Sequence, residues 1–150
     1  MDKVVSIRWN VPPDEVAEVR RLSLYPFRPA GPEINDEMTA NSGTIFAGAF
    51  LENKPIGCIA VLPEPKYDCQ WRIRWFGVLT EERGLGIGTQ LVEAVQQEAV
   101  NNQVSLWAEV RIKAIPVYER LGFESLGDFF DLPEIGVHRV MRWSSNGLRS

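Results

Sequence analysis

Histidine occurs once in the 150 residues, at His138, and cysteine twice, at Cys58 and Cys69. Two cysteines do not make a disulfide framework, and with a single histidine their spacing argues against structural zinc, so no metal is expected. Long apolar runs are missing as well. Residues 45–51 and 56–62 form the longest, far short of the roughly 20 that a membrane helix needs. Met1-Asp2-Lys3-Val4 has no signal-peptide pattern. Positive charge is not in excess: 16 Lys+Arg stand against 20 Asp+Glu, a net charge of -4. With no basic stripe and no aromatic stacking platform, no nucleic-acid partner and no membrane partner are expected. Backbone N–H groups could still bind an anion locally. What is present, 45% hydrophobic and 24% charged residues without repeats or linkers, fits one cytoplasmic α/β domain over residues 1–150.

Residues 4–11 read as a first strand, and Asp14 as the cap of a helix carrying Val16, Val19 and Leu22 on one face. Residues 25–42 hold Pro26, Pro29, Gly31 and Pro32 and read as a loop long enough to serve a substrate. Two short strands, 45–51 and 55–62, flank a hairpin turn, and a second loop is expected over 63–68. Residues 70–79 alternate with period two, Trp71, Ile73 and Trp75 facing one way and Arg72, Arg74, Phe76 and Val78 the other. A glycine-rich segment leads into a helix marked by Leu91, Val92, Val95 and Ala99. A strand over 104–110 follows, then a short helix over 113–121 closed by Gly122. Residues 123–124 and 137–143 supply the last strands. A strand, glycine loop, helix and strand in succession imply a locally parallel pair.

Gly84, Gly86 and Gly88 alternate immediately before a helix. Such a position has unsatisfied N–H donors and partial positive charge, so it can cradle a pyrophosphate. It can equally be a tight turn without a ligand. The P-loop fits poorly because Gly88-Thr89-Gln90 lacks its lysine, and the dinucleotide loop fits poorly because Thr89 stands where its third glycine belongs.

Arg83-Gly84-Leu85-Gly86-Ile87-Gly88 instead resembles the R/Q-x-x-G-x-G/A acyl-CoA loop of the GCN5-related N-acetyltransferases (GNAT). Val117-Tyr118-Glu119-Arg120-Leu121-Gly122-Phe123 resembles that family's second segment, at the expected separation. The resemblance implies a mixed central β-sheet flanked by about four helices, and acetyl-CoA as co-substrate. It implies cofactor contacts at Arg83, Gly84, Leu85, Gly86, Ile87, Gly88 and Thr89, and through the backbone of Phe76, Gly77 and Val78. Gly77 is consistent with a bulge that frees backbone donors there. The side chains of Phe76 and Val78 can equally be core.

One branch is closer still. Phe27-Arg28-Pro29-Ala30-Gly31-Pro32, Arg74, Trp107-Ala108-Glu109-Val110-Arg111 and Ile135-Gly136-Val137-His138 have counterparts in enzymes similar to glyphosate N-acetyltransferase. That likeness implies direct acetyl transfer to the amine of a small anionic acceptor, an amino acid or aminophosphonate. Tyr118 would be the acid that protonates the leaving thiolate, and His138 the base, since imidazole titrates near neutrality. Arg28, Arg74 and Arg111 would bind the acceptor's acid group bidentately. Tyr118 read alone is equally a core aromatic, and Glu109 could be a salt-bridge partner of Arg111. A polyamine, aminoglycoside or peptide acceptor, or a non-catalytic acyl-CoA-binding module, are the alternatives. Neither cysteine is placed for a nucleophile. Homodimers are common in the family, and Met141 and Trp143 could serve an interface or the core.

Overall fold

The computed structural model describes residues 4–24, 43–82, 86–133 and 135–145. Among these, seven strands and three α-helices run in the order β1 (Val5–Trp9), α1 (Pro13–Leu24), β2 (Ile45–Leu51), β3 (Lys54–Lys66), β4 (Cys69–Val78), α2 (Ile87–Asn102), β5 (Ser105–Arg111), α3 (Ile115–Arg120), β6 (Glu124–Leu132) and β7 (Gly136–Ser144). Single 3-10 turns, Thr80–Glu82 and Ile112–Ala114, precede α2 and α3. The strands form one sheet in the order β1-β2-β3-β4-β5-β7-β6. Adjacent pairs are antiparallel except β4–β5, the parallel pair that the crossover through α2 demands. This is the mixed α/β sheet expected, with three α-helices among the described residues.

The helices cover opposite faces. On α1, Val16, Val19 and Ser23 recur at helical spacing and are buried. On α2, Leu91, Val92, Val95 and Ala99 are each 0% exposed, which makes that stripe the centre of the other half of the core. Glycines let both helices approach closely. A Cβ on Gly48 would stand 2.8 Å from Val16 of α1, and one on Gly57 3.0 Å from Leu91 of α2.

The loop expected over 63–68 is instead strand and turn. β3 continues to Lys66, and Tyr67 and Asp68 turn it at positive φ of 55° and 61°. Pro63 is tolerated because β2 pairing ends at Ile45↔Val61, so Pro63 has only β4 beside it. β6 likewise runs on through polar residues to Leu132, past a bulge between Leu126 and Phe130 where Gly127 takes φ 79°.

Two departures from regularity shape the middle of the sheet. The β4–β5 ladder holds only Trp71↔Leu106, Arg72↔Trp107 and Ile73↔Ala108; beyond it the strands part. On the other side of β4, Cys58↔Gly77 and Ala60↔Arg74 leave one extra residue on β4. That bulge centres on Trp75, at φ 59°, not on Gly77. Gly77 is required for another reason: a Cβ there would meet Ser23 Oγ of α1 at 2.1 Å. The bulge also breaks the expected alternation. Ile73, opposite Val61, shares the face of Val78, opposite Gly57, and Phe76 lies there too, near Gly88, while Trp75 leaves that face to join Gly77 on the α1 side, with the Arg20 guanidinium 4.3 Å from its ring.

Candidate active site

Where β4 and β5 part, the sheet opens. A cavity of ≈ 130 Å³ there is lined by Arg74 and Phe76 of β4, Arg111 of β5, Tyr118 of α3 and His138 of β7. Four of the five sequence-expected residues for chemistry and acceptor binding, counting the backbone position Phe76 apart, therefore converge; Arg28 lies outside the described residues, and so do Arg83, Gly84 and Leu85. A larger groove, ≈ 840 Å³, adjoins it and is lined by Phe76, Gly77, Val78, Gly86, Ile87, Gly88 and Thr89. Leu24, Phe76, Arg111 and Ala114 line both spaces and form the neck between them.

The groove's glycines have separate reasons. Gly86 takes φ 76° with nothing within 4 Å of a would-be Cβ, so its backbone faces open space. The first α2 hydrogen bond runs from Gln90 N–H to the Gly86 carbonyl. The amides of Ile87, Gly88 and Thr89 thus have no acceptor further back in the helix, which is the donor set that a pyrophosphate needs. Gly88 answers to packing: its Cβ would stand 3.0 Å from Phe76 Cζ. The β4 edge supplies a further donor. Leu79 N–H bonds the Ile56 carbonyl on β3, so alternation points Phe76 N–H the other way, toward the side that β5 has vacated.

Tyr118 is 2% exposed, its ring edge-on to Phe76 at 5.6 Å and to Phe123 at 4.9 Å. Burial pushes its phenol well above the ordinary tyrosine value, so it keeps its proton. The α3 helix presents it because Pro116 sits in the first turn and Gly122, at φ 92°, ends the helix. His138 is 3% exposed and stands directly across from Arg111 in the β5–β7 ladder and from Phe130 in β6–β7. Its Nδ1 lies 2.8 Å from the Gly136 carbonyl. A carbonyl only accepts, so in the neutral ring Nδ1 carries the proton and Nε2 keeps its lone pair.

Arg111 Nη2 donates to the Leu24 carbonyl, 2.9 Å away, satisfying an orphan acceptor at the end of α1 and anchoring the guanidinium at the neck. Glu109 pairs with Arg72, which also binds Glu64 at 2.9 Å, so the carboxylate that could have matched Arg111 in sequence is engaged across the β4–β5 seam. The described cavity lining holds Arg20, Arg72, Arg74 and Arg111 against one carboxylate, Glu109. Met141 is 0% exposed and Trp143 stacks on Phe123 at 6.1 Å, which places both against the fold's own interior.

Sequence reasoning missed Arg20, Lys113, Arg120 and Cys58. Lys113 and Arg120 line the groove and flank the recognised Tyr118 segment, a signal that was available. Cys58 carried none: only the fold puts it opposite Gly77, with its thiol 2.9 Å from the Trp75 carbonyl. Burial pushes that thiol up to about 12, so it is no nucleophile at neutral pH. Among the described residues, no group of three or more His, Cys, Asp or Glu could hold a metal, and no helix is long and apolar enough to cross a membrane.

A parted sheet with a glycine-led helix at one end and a polar cavity at the other is the architecture of an acyl-CoA N-acyltransferase. The model of the Acetyltransferase (GNAT) family matches residues 7–123, and the chain belongs to that family. It is 26% identical over 104 residues to the uncharacterized N-acetyltransferase YitI of Bacillus subtilis (strain 168), covering 66% of this chain and 70% of that one. Among solved structures, FeeM, an N-acyl amino acid synthase from uncultured soil microbes, superposes with a TM-score of 0.78 at 14% identity, over 97% of this chain and 93% of its own. An aminoglycoside 6'-N-acetyltransferase complexed with coenzyme A gives 0.71 at 18% identity, over 94% and 96%.

Proposed function

We propose that the protein moves an acetyl group from acetyl-CoA directly to the amine of a small acid-bearing molecule, an amino acid or aminophosphonate. The observation that carries this reading is the meeting of Arg74, Arg111, Tyr118 and His138 in one cavity at the neck of the groove. The pyrophosphate of CoA sits on the amides opening α2, and the thioester lies along the vacated edge of β4. The acceptor's acid group faces Arg74 and Arg111, and its amine faces His138.

The steps follow from the groups. The amine lone pair attacks the thioester carbonyl carbon, and Phe76 N–H meets the developing oxyanion. The amine proton passes to Nε2 of His138. Collapse of the tetrahedral intermediate breaks the C–S bond, and the sulfur takes the proton of the Tyr118 hydroxyl. No described residue hydrogen-bonds that hydroxyl, and its high pKa keeps it protonated until the thiolate arrives.

Net charge would favour a cationic acceptor, such as a polyamine or aminoglycoside. The cavity argues the other way: its one described carboxylate, Glu109, is already paired with Arg72. The test is free-thiol release from acetyl-CoA against amino acids, aminophosphonates, polyamines and aminoglycosides, beside calorimetric titration of acetyl-CoA alone. Release with acidic amines, and a raised KM in Arg74→Gln and Arg111→Gln, supports the reading. Release with polyamines alone contradicts it. Binding with no release by any acceptor would favour an acyl-CoA-binding module.

A further inference from the structure

We propose that Cys58 is a positioning residue for acyl transfer: its thiol, by donating to the Trp75 carbonyl, holds the β4 bulge that aims Phe76 at the neck. The inference rests on the reading that acetyl-CoA lies along this edge of β4.

The bulge needs holding. Trp75 takes φ 59°, a region that bulky residues rarely occupy. Its extra residue interrupts the β3–β4 ladder between Cys58↔Gly77 and Ala60↔Arg74. The Cys58 thiol fills that interruption from the β3 side. It donates to the Trp75 carbonyl at 2.9 Å, so a fully buried side chain ties down the residue at the centre of the bulge. Burial keeps it protonated, with its thiol pushed up to about 12, so it remains a donor throughout the neutral range.

The rest of Trp75 is held too. Its ring lies 4.8 Å from Phe46 and under the Arg20 guanidinium at 4.3 Å. With the side chain clamped by the α1 face and the carbonyl tied to Cys58, the next residue is forced to the opposite face. Phe76 therefore packs its ring on Tyr118 and against Gly88 while its N–H faces the vacated edge. Without the thiol, the carbonyl is left buried and unmatched, and the cheapest relief is to rotate the Trp75–Phe76 peptide. That rotation moves the N–H away from the thioester.

Three variants separate positioning from packing. Cys58→Ser keeps a donor, Cys58→Val keeps volume without one, and Cys58→Ala removes both. The probe is acetyl-CoA labelled with carbon-13 at the thioester carbonyl, added without acceptor, read by difference infrared spectroscopy and calorimetry. Wild type and Cys58→Ser should show a thioester stretch lowered from its value in water, and equal affinity. Cys58→Val and Cys58→Ala should lose the lowering and bind about five- to ten-fold more weakly, the worth of roughly one hydrogen bond. A Cys58→Val protein with a lower Tm but the wild-type band and affinity would overturn the proposal; if that variant does not fold, the same result with Cys58→Ala does so. An unshifted band in wild type would overturn the proposal while leaving acetyl-CoA binding intact. Failure of wild type to bind acetyl-CoA would overturn the donor reading and this inference with it.

Discussion

Alanine at position 77 would set its Cβ 2.1 Å from Ser23 Oγ and 2.9 Å from Ser23 Cβ. Neither partner can give way freely. Ser23 is buried, and its hydroxyl is tied to the Val19 carbonyl at 2.6 Å on the inward face of α1. Relief requires α1 to lift from β4 or the hydroxyl to abandon its bond. Overpacking of this kind costs ~1–3 kcal/mol. In a chain of this size each kcal/mol lowers Tm by about 2–4 °C, so Gly77→Ala should melt about 2–12 °C below wild type. Ser23→Ala removes the closer contact and loses only a back-bond that contributes little within a helix. The double variant should therefore melt above Gly77→Ala alone, a coupling that circular-dichroism melts in a double-mutant cycle read directly. An unchanged Tm for Gly77→Ala, or strictly additive effects, would refute the packing argument.

Further outcomes follow from the same geometry. His138→Ala should lower kcat by about 10²–10⁴-fold with acetyl-CoA affinity nearly unchanged, measured by thiol release and calorimetry; full activity would remove His138 from the mechanism. Gly86→Ala meets no steric obstacle but must hold φ 76°, so it should cost ~1 kcal/mol of stability and weaken acetyl-CoA binding, by melts and titration. Tyr118 gives a pH signature. Burial raises its phenol above the ordinary 10.0, so the unfolded chain ionises first as pH climbs. The stabilisation is complete below about pH 10 and lost above it, toward the folded value. Tyr118→Phe should flatten that alkaline loss in urea midpoints taken from pH 8 to 11, while lowering turnover at neutral pH.

The two helices that carry the core were legible because Val16 and Val19, and Leu91, Val92 and Val95, recur at helical spacing. The end of the Tyr118 helix was legible because Gly122 closes it. What failed did so where pairing overrides local pattern. Pro63 looked like a loop residue but lies within β3, past the end of the β2 ladder, where the strand has only β4 beside it. The period of two through Trp75 and Phe76 looked unbroken because a bulge in a non-glycine residue leaves no local mark. Gly77 looked like the bulge, yet its glycine answers to Ser23 of another element. Within the site, His138, Arg74 and Arg111 could be named one by one. That they share a cavity depends on β4 and β5 parting after Ile73↔Ala108, which is a property of the sheet and not of any segment. Cys58 is the clearest case, an ordinary core residue in sequence whose neighbour is decided by strand register.

The most direct test is a crystal structure with CoA and the N-acetylated product of an acidic amine bound together. It should place the pyrophosphate on the amides of Ile87, Gly88 and Thr89, the CoA sulfur within hydrogen-bond reach of the Tyr118 hydroxyl, and the product's acid group on Arg74 and Arg111 with its amide nitrogen beside His138 Nε2. A product whose acid group lies away from both arginines, or a CoA outside the groove beside β4, would contradict the account.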